Sequence, residues 1–271
     1  MQTPQSTISQ GLPELHQLAR DLTDLGATLV RDVEYPDDDH YCYMMLAFLS
    51  KQVEHLRSMR ALSGSPDAGL IARSMLEGLW QLRWAAIDGD ARAYQWRCFE
   101  WVHAWRAIRA DRECGRPVDE IRGQEVEINL RQFGRQFLTQ FARKALKTGH
   151  GLPRDPYWHN WTGHDIRQLA ESARGGEDQT GLGQYFRHYR PYSEWRHWGP
   201  GAIGGRENGE GDSMRFEPEE QVDPEDALAV GFLCVADTMS LLVKYLRLGI
   251  SADITRLIEA FSAWEKRRGL S

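Results

Sequence analysis

The sequence lacks the features that mark several large protein classes. Its four cysteines are widely spaced and form no C-x-x-C pair, which excludes a disulfide scaffold and a zinc ribbon. The longest apolar run, Ala227–Ala236, falls well short of the roughly 20 residues that span a bilayer. The N-terminal segment is neither basic nor apolar, so it does not resemble a signal peptide. These absences predict a soluble, cytoplasmic protein that does not contact a membrane.

Common catalytic motifs are also missing. The chain has no GxxxxGK[ST], HExxH or GxSxG motif, so P-loop, zincin and hydrolase functions lack their markers. Gly199 to Gly204 does spell GxGxxG, but it follows a predicted helix, whereas a dinucleotide site needs a strand before it. Glu100 and His103 have the spacing of a di-iron helix, but their segment is rich in tryptophan, as a core helix is. We therefore expect neither a cofactor nor a metal.

Negative charge is concentrated in one segment. The net charge is −6, and the stretch from Glu207 to Asp226 carries nine carboxylates against one arginine. The rest of the chain is therefore about +2, which excludes a uniformly basic nucleic-acid-binding protein but leaves room for a local basic face. Five basic residues fall along one predicted helix and its end: Arg131, Arg135, Arg143, Lys144 and Lys147. They are typical of a solvated helix face, and a phosphate-binding patch is the alternative.

Helical periodicity dominates the chain. Apolar residues recur at steps of three and four, and no alternating strand pattern extends beyond a few residues. The pattern predicts helices at about 12–30, 41–62, 65–87, 91–111, 118–147, 164–174, 181–198, 224–247 and 252–267. We expect an all-α bundle of eight or nine helices without a substantial sheet, folded as a single domain over 1–271. A Gly-rich acidic loop at about 199–222, either an unstructured insertion or a mobile lid, precedes a C-terminal helix pair at about 224–267.

Two groups of polar residues are candidates for a functional site. Arg73 and Glu77 lie four apart on an otherwise apolar predicted helix, where they form either a structural ion pair or part of a site. In the segment from Tyr189 to His197, Ser193 and His197 are again four apart, and Arg190 lies seven before His197. A histidine beside a hydroxyl and a guanidinium can act as an acid and base, or it can simply cap the helix before Gly199.

The same residues make the chain resemble a family of uncharacterised, mainly prokaryotic helical proteins. Members show an R-S-x-x-x-E helix, a W-x-G before a short helix, and a Y-x-x-x-S-x-x-x-H segment. The corresponding residues here are Arg73-Ser74 with Glu77 (one residue tighter), Trp161-Thr162-Gly163, and Tyr189 to His197 with Ser193. The resemblance covers roughly 40–200 and implies an all-α fold in which Arg73, Glu77, Ser193 and His197 are close together. It implies no particular activity.

The chain is more loosely similar to HEPN domains, which are helical bundles that often cleave RNA without a metal and work as dimers. Their motif is Arg-x(4–6)-His, and Arg190 and His197 fit its longest form. This resemblance implies that His197 is the acid and base and that Arg190 contacts the phosphate. Pro191 departs from the pattern and opens a second option, in which Arg190 caps the helix and Arg73 or Arg196 supplies the cation.

Three functional hypotheses follow. The leading one is a dimeric, HEPN-like protein that cleaves or binds RNA, in which Ser193 and Glu77 orient His197 and Arg190, and Glu77 holds Arg73. The second is a non-catalytic interaction or regulatory module, in which the same residues form a buried polar network. The third is a small-molecule enzyme with a pocket lined by tryptophans and gated by the Gly-rich loop. RNA cleavage requires an accessible cleft, whereas a structural network requires buried, mutually bonded side chains.

Overall fold

The computed structural model describes residues 11–62, 65, 67–172, 180–196, 205–210, 213–218 and 224–268. Its internal contacts divide the chain into two compact units. The first comprises the described residues up to Trp84 and from Ile166 onward, and the second is Ala85–Asp165. A single domain over 1–271 stays a prediction.

Most of the helices follow the sequence pattern closely. They are α1 Gly11–Asp32, α2 His40–Ala61, α3 Ala68–Ala86, α4 Asp90–Cys98, α5 Glu100–Glu113, α6 Glu120–Phe133, α7 Gln140–Lys147, α8 Ile166–Ser172, α9 Thr180–Gln184, α10 Arg190–Arg196, α11 Pro224–Leu246 and α12 Ser251–Arg268. A 3₁₀ turn, Gly134–Phe137, precedes α7, and a π turn, Tyr185–Tyr189, joins α9 to α10. Helices α4 and α5 adjoin each other, and the π turn joins α9 to α10. When each of these two pairs is counted as one helix, the described residues form ten helices rather than eight or nine. The all-α class is confirmed.

Two short strands lie inside the segment predicted as a Gly-rich loop. Strand β1, Gly205–Glu210, pairs antiparallel with β2, Ser213–Pro218, so that Glu207 lies opposite Phe216. Residues 197–204, 211–212 and 219–223 fall outside the described part of the chain, and with them half of the segment 199–222.

The core of the first unit forms between α1, α2, α11 and α12. Their buried side chains recur at helical spacing and include Leu15, Leu22, Met44, Met45, Leu49, Leu56, Phe232, Phe261 and Trp264. The rings of Phe232 and Phe261 stack with their centroids 4.5 Å apart. Burying one such side chain contributes about 1.5–3 kcal/mol, so this cluster supplies much of the stability of the unit.

Helix α11 is long and apolar enough to cross a membrane by length and composition alone. The criterion selects Glu225–Leu246, where 72% of the tested window is buried inside the protein. No other helix of the described residues meets it. Burial against α1, α2 and α12 is the arrangement expected of a core helix, and it is compatible with a soluble protein.

The single helix predicted over 118–147 is wrong, because the chain breaks between α6 and α7. Leu138 has extended backbone and pairs with Tyr157 in an antiparallel bridge. The Thr139 N–H donates to the Pro156 carbonyl at 2.9 Å, so it does not continue a helical hydrogen-bond ladder. The Thr139 hydroxyl then caps α7 by accepting from the Ala142 N–H at 3.2 Å. Apolar residues continue through the break at helical spacing, so periodicity alone gave no sign of it.

The W-x-G segment of the second unit is held by its own turn. Trp161 is buried and its carbonyl accepts a hydrogen bond from the Gln95 side chain at 3.0 Å. Gly163 has a φ of +69°, and a Cβ there would lie 2.9 Å from the Trp158 ring. Both constraints require glycine, so this motif serves the local fold.

Gly26 tests the close packing of α1 against α2. A Cβ at this position would meet Val53 at 2.8 Å, whereas a Cβ at Gly183 in α9 would meet nothing within 4 Å. We expect Gly26→Ala to lower the free energy of unfolding by about 1–3 kcal/mol through overpacking. Gly183→Ala should leave it unchanged or raise it by up to about 1 kcal/mol, because alanine favours helix. Urea titrations of both variants measure the difference, and equal effects would contradict the close approach.

Candidate functional site

The chain from Thr180 to Arg196 forms one continuous helix, here called the motif helix, made of α9, the π turn and α10. Pro191 has no N–H, and in an α-helix its ring would press on the carbonyl four residues earlier. The π turn directly before it relieves this conflict, since the Arg190 N–H donates to the Tyr185 carbonyl, five residues back. Arg190 has helical dihedral angles (φ −65°, ψ −48°), so it is a helix member and not an N-terminal cap.

Arg73 joins α3 to the motif helix. Its Nε donates to the Ser193 hydroxyl at 2.8 Å, and its Nη2 donates to the Tyr189 hydroxyl at 2.7 Å. The same Nη2 lies 2.8 Å from Glu77 Oε1, to which the Tyr189 hydroxyl donates at 2.9 Å. The Ser193 hydroxyl in turn donates to the Tyr189 carbonyl at 2.9 Å. These four residues, the Arg73 network, satisfy one another.

The Arg73 network is largely buried. The Arg73 side chain is 12% exposed and that of Glu77 is 30% exposed. Tyr189 lies beneath the guanidinium, 4.8 Å from its ring centroid, and packs on Trp80 at 5.5 Å. Burial raises the pKa of the Tyr189 phenol, the charge and hydrogen bond of Glu77 raise it further, and Arg73 opposes them. The phenol therefore stays protonated and able to donate to Glu77 at neutral pH.

A second polar group includes the two residues of the motif helix that directly precede Tyr189 and Ser193. His188 Nδ1 is 3.0 Å from Asp226 Oδ2, and the Tyr192 hydroxyl donates to the same oxygen at 2.8 Å. The His188 side chain is 16% exposed and that of Asp226 is 41% exposed, so this pair is more open to solvent than Arg73. Burial acts to raise the pKa of Asp226, but the His188 contact, the Tyr192 hydrogen bond and the nearby Arg187 charge together lower it.

The structure brings three of the five predicted site residues together. Arg73, Glu77 and Ser193 meet in the Arg73 network. Arg190 lies on the exposed side of the motif helix, as does Arg187. His197 lies outside the described residues, so its predicted place beside Ser193 stays a prediction.

Sequence reasoning missed His188, Tyr192 and Asp226, and gave Tyr189 no role of its own. His188 and Tyr192 stand four apart in the motif helix, a spacing that does place two side chains on one face. Asp226 is 38 residues further along, and no sequence pattern links it to His188. Within the described part of the chain, no group of three or more His, Cys, Asp or Glu residues could hold a metal ion. The chemistry that these side chains can support is proton transfer and anion contact.

Removing one hydroxyl tests the Arg73 network. Tyr189→Phe takes away the acceptor for Arg73 and the donor to Glu77 while keeping the ring on Trp80. We expect it to lower the free energy of unfolding by about 1–3 kcal/mol, because partly buried charged groups lose a partner. Tyr245→Phe, which removes an exposed hydroxyl bonded to Asp39, should change it by less than about 0.5 kcal/mol. Equal melting temperatures for the two variants would contradict the role of the network.

The His188–Asp226 contact predicts a pH-dependent contribution to stability. Because the folded pKa of Asp226 lies below its ordinary value of 3.8, folding favours the charged carboxylate. Its contribution is therefore complete above that value and is lost as the pH falls through the lowered folded pKa. The difference in unfolding free energy between wild type and Asp226→Asn should be constant near neutral pH and shrink in acid. A difference that stays flat into acid would contradict the stabilising contact.

The chain matches a protein-family model. The matching model describes a family of unknown function, DUF5677, and covers residues 42–213, which include Arg73, Glu77, Trp161, the motif helix and His197. Neither the curated proteins nor the solved structures contain a significant match to the chain. Because the family model covers more than half of its residues, the chain belongs to the family of unknown function DUF5677.

Proposed function

We propose that the protein is a cytoplasmic, dimeric enzyme that cleaves RNA without a metal, and that the motif helix carries its site. The observation that carries this proposal is the contact between His188 and Asp226, 3.0 Å long, on a helix that also exposes Arg187 and Arg190. A histidine oriented by a carboxylate and flanked by cations has the parts that phosphodiester cleavage needs.

The carboxylate determines how the imidazole would act. With the proton on Nδ1 donated to Asp226, Nε2 carries the lone pair and can accept a proton. It would take the proton of an RNA 2′-hydroxyl as that oxygen forms a bond to phosphorus and the bond from phosphorus to the 5′-oxygen breaks. The proton then returns to the leaving 5′-oxygen. Arg187 and Arg190 would stabilise the negative charge that develops on the phosphoryl oxygens.

The other predicted residues have defined roles in this proposal. Arg73, Glu77 and Ser193 are positioning residues, because their bonds to one another and to Tyr189 hold the motif helix against α3. His197 remains a second candidate for the acid and base, with Arg190 as its phosphate contact. The proposal therefore places the catalytic base on the motif helix or directly after it.

A non-catalytic interaction or regulatory module is the second candidate, favoured by a specific observation. The polar atoms of the Arg73 network bond mainly to one another and are largely buried, which is the arrangement of a network that fixes one packing. The tryptophan-lined enzyme pocket has less support, because Trp80, Trp84, Trp161 and Trp264 are all buried within the packed interior.

RNA cleavage by the purified protein in EDTA tests the proposal. His188→Gln keeps a donor for Asp226 but cannot exchange a proton, so we expect cleavage to fall by about 100-fold or more while the melting temperature stays unchanged. His159→Gln changes an exposed histidine of the second unit and should leave cleavage intact. His197→Ala, measured in parallel, shows which histidine is the base. Absence of cleavage by the wild type would overturn the proposal and favour the interaction module.

A further inference from the structure

The break between α6 and α7 creates an open cleft in the unit Ala85–Asp165. Its volume is about 580 Å³, within the range of sites for small ligands. One wall comes from the 3₁₀ turn and the extended residue after it, and the other comes from α7. The lining residues are Arg135, Gln136, Leu138, Arg143, Leu146 and Lys147. The side chains of two leucines, two arginines and one lysine thus line one concave surface.

The charge around this cleft is uncompensated. Residues 131–154 include six arginines and lysines and no aspartate or glutamate. In the part of the chain that the structure describes, Arg135, Arg143, Lys144 and Lys147 form no ion pair with a carboxylate, in contrast to most arginines of the same unit. Seven of those do form one: Arg106, Arg109, Arg112, Arg116, Arg122, Arg131 and Arg154.

Arg143 is fixed in position at the cleft. Its Nη2 donates to the Gln136 carbonyl at 2.7 Å, and its guanidinium lies over the Trp158 ring at 5.8 Å from the centroid. Gln136 is itself held, because its side-chain amide donates to the Phe133 carbonyl at 3.1 Å. A guanidinium has five N–H donors, so most of those on Arg143 remain to bind an anion. An ordered cation loses less conformational entropy on binding than a mobile one.

A solvated helix face does not explain the arrangement. Lysines in the last turn of α7 are expected there, because they complement the negative end of the helix dipole. Arg135, however, comes from the separate 3₁₀ turn and faces the same space as Arg143 and Lys147. Like charges that converge from two elements repel each other, and a concave surface concentrates their potential. An anion in the cleft would relieve that repulsion.

We propose that this cleft binds phosphate groups, supplied either by an RNA strand or by a free nucleotide. Guanidinium and ammonium groups are the usual protein partners of phosphate oxygens, and Leu138 and Leu146 offer apolar surface to the rest of the ligand. The inference goes beyond the proposed nuclease and does not depend on it, because the cleft and the motif helix belong to different units.

Binding of a short fluorescent 2′-O-methyl oligouridine strand to the full chain, measured by anisotropy in EDTA, tests the cleft, because a strand without free 2′-hydroxyls cannot be cleaved by the proposed mechanism. The double variant Arg135→Gln with Lys147→Gln removes two of its cations. We expect affinity to fall about tenfold or more at low salt. The slope of log affinity against log salt should flatten by about 1.4, since each phosphate of a single strand contributes roughly 0.7. A competition series with adenosine monophosphate and with pyrophosphate shows whether free phosphates occupy the same site.

The matched control is Arg131→Gln with Arg154→Gln. It removes the same charge from the same unit, at exposed arginines that are paired with carboxylates outside the cleft. This variant should bind within about twofold of wild type. Equal weakening of both double variants, or a wild type that binds neither the strand nor the two small phosphates, would overturn the proposal. Loss of cleavage in His188→Gln with binding intact would separate this site from the proposed catalytic one.

Discussion

The arrangement of the candidate site depends on the Arg73 guanidinium. It is mostly withdrawn from water, so leaving it without partners would cost several kcal/mol, and its acceptors lie more than 110 residues away on the motif helix. By bonding Tyr189 and Ser193, which are four apart, it fixes the rotation of that helix against α3. The stripe one residue earlier, His188 and Tyr192, is turned by about 100° and meets Asp226 of α11. The motif helix thereby contacts α3 through Tyr189 and Ser193, and α11 through His188 and Tyr192.

The sequence alone predicted those features that depend on residues close together in the chain, namely the helices and the ion pair within α3. Helical period placed α1, α2, α3, α11 and α12 to within a few residues, and the four-residue spacing of Arg73 and Glu77 gave their ion pair. Periodicity failed at Leu138, because the force that breaks the helix there is a bridge to Tyr157, nineteen residues later. Periodicity likewise gave no sign that Asp226 contacts His188, because the two residues are 38 apart in the chain. Contacts between residues distant in the chain leave no mark on local patterning.

The family match and the geometry do not coincide fully. The matched region, 42–213, contains every residue of the Arg73 network but ends before Asp226. The Arg73 network is thus contained in the region that defines the family, whereas the orientation of His188 depends on a helix beyond it. This difference makes His188, rather than Arg73, the residue whose substitution would separate the proposed catalysis from folding.

Charge distribution assigns different tasks to the two units. A carboxylate beside His188 favours proton transfer, but its own charge repels a phosphate, and Arg187 and Arg190 do little more than offset it. The cleft beside α7 carries cations that no carboxylate within the described residues neutralises, so it can attract a polyanion at longer range. Under the two proposals, affinity for phosphate and chemistry at phosphate have separate physical origins in this chain. A protein built in this way can retain binding when its chemistry is removed.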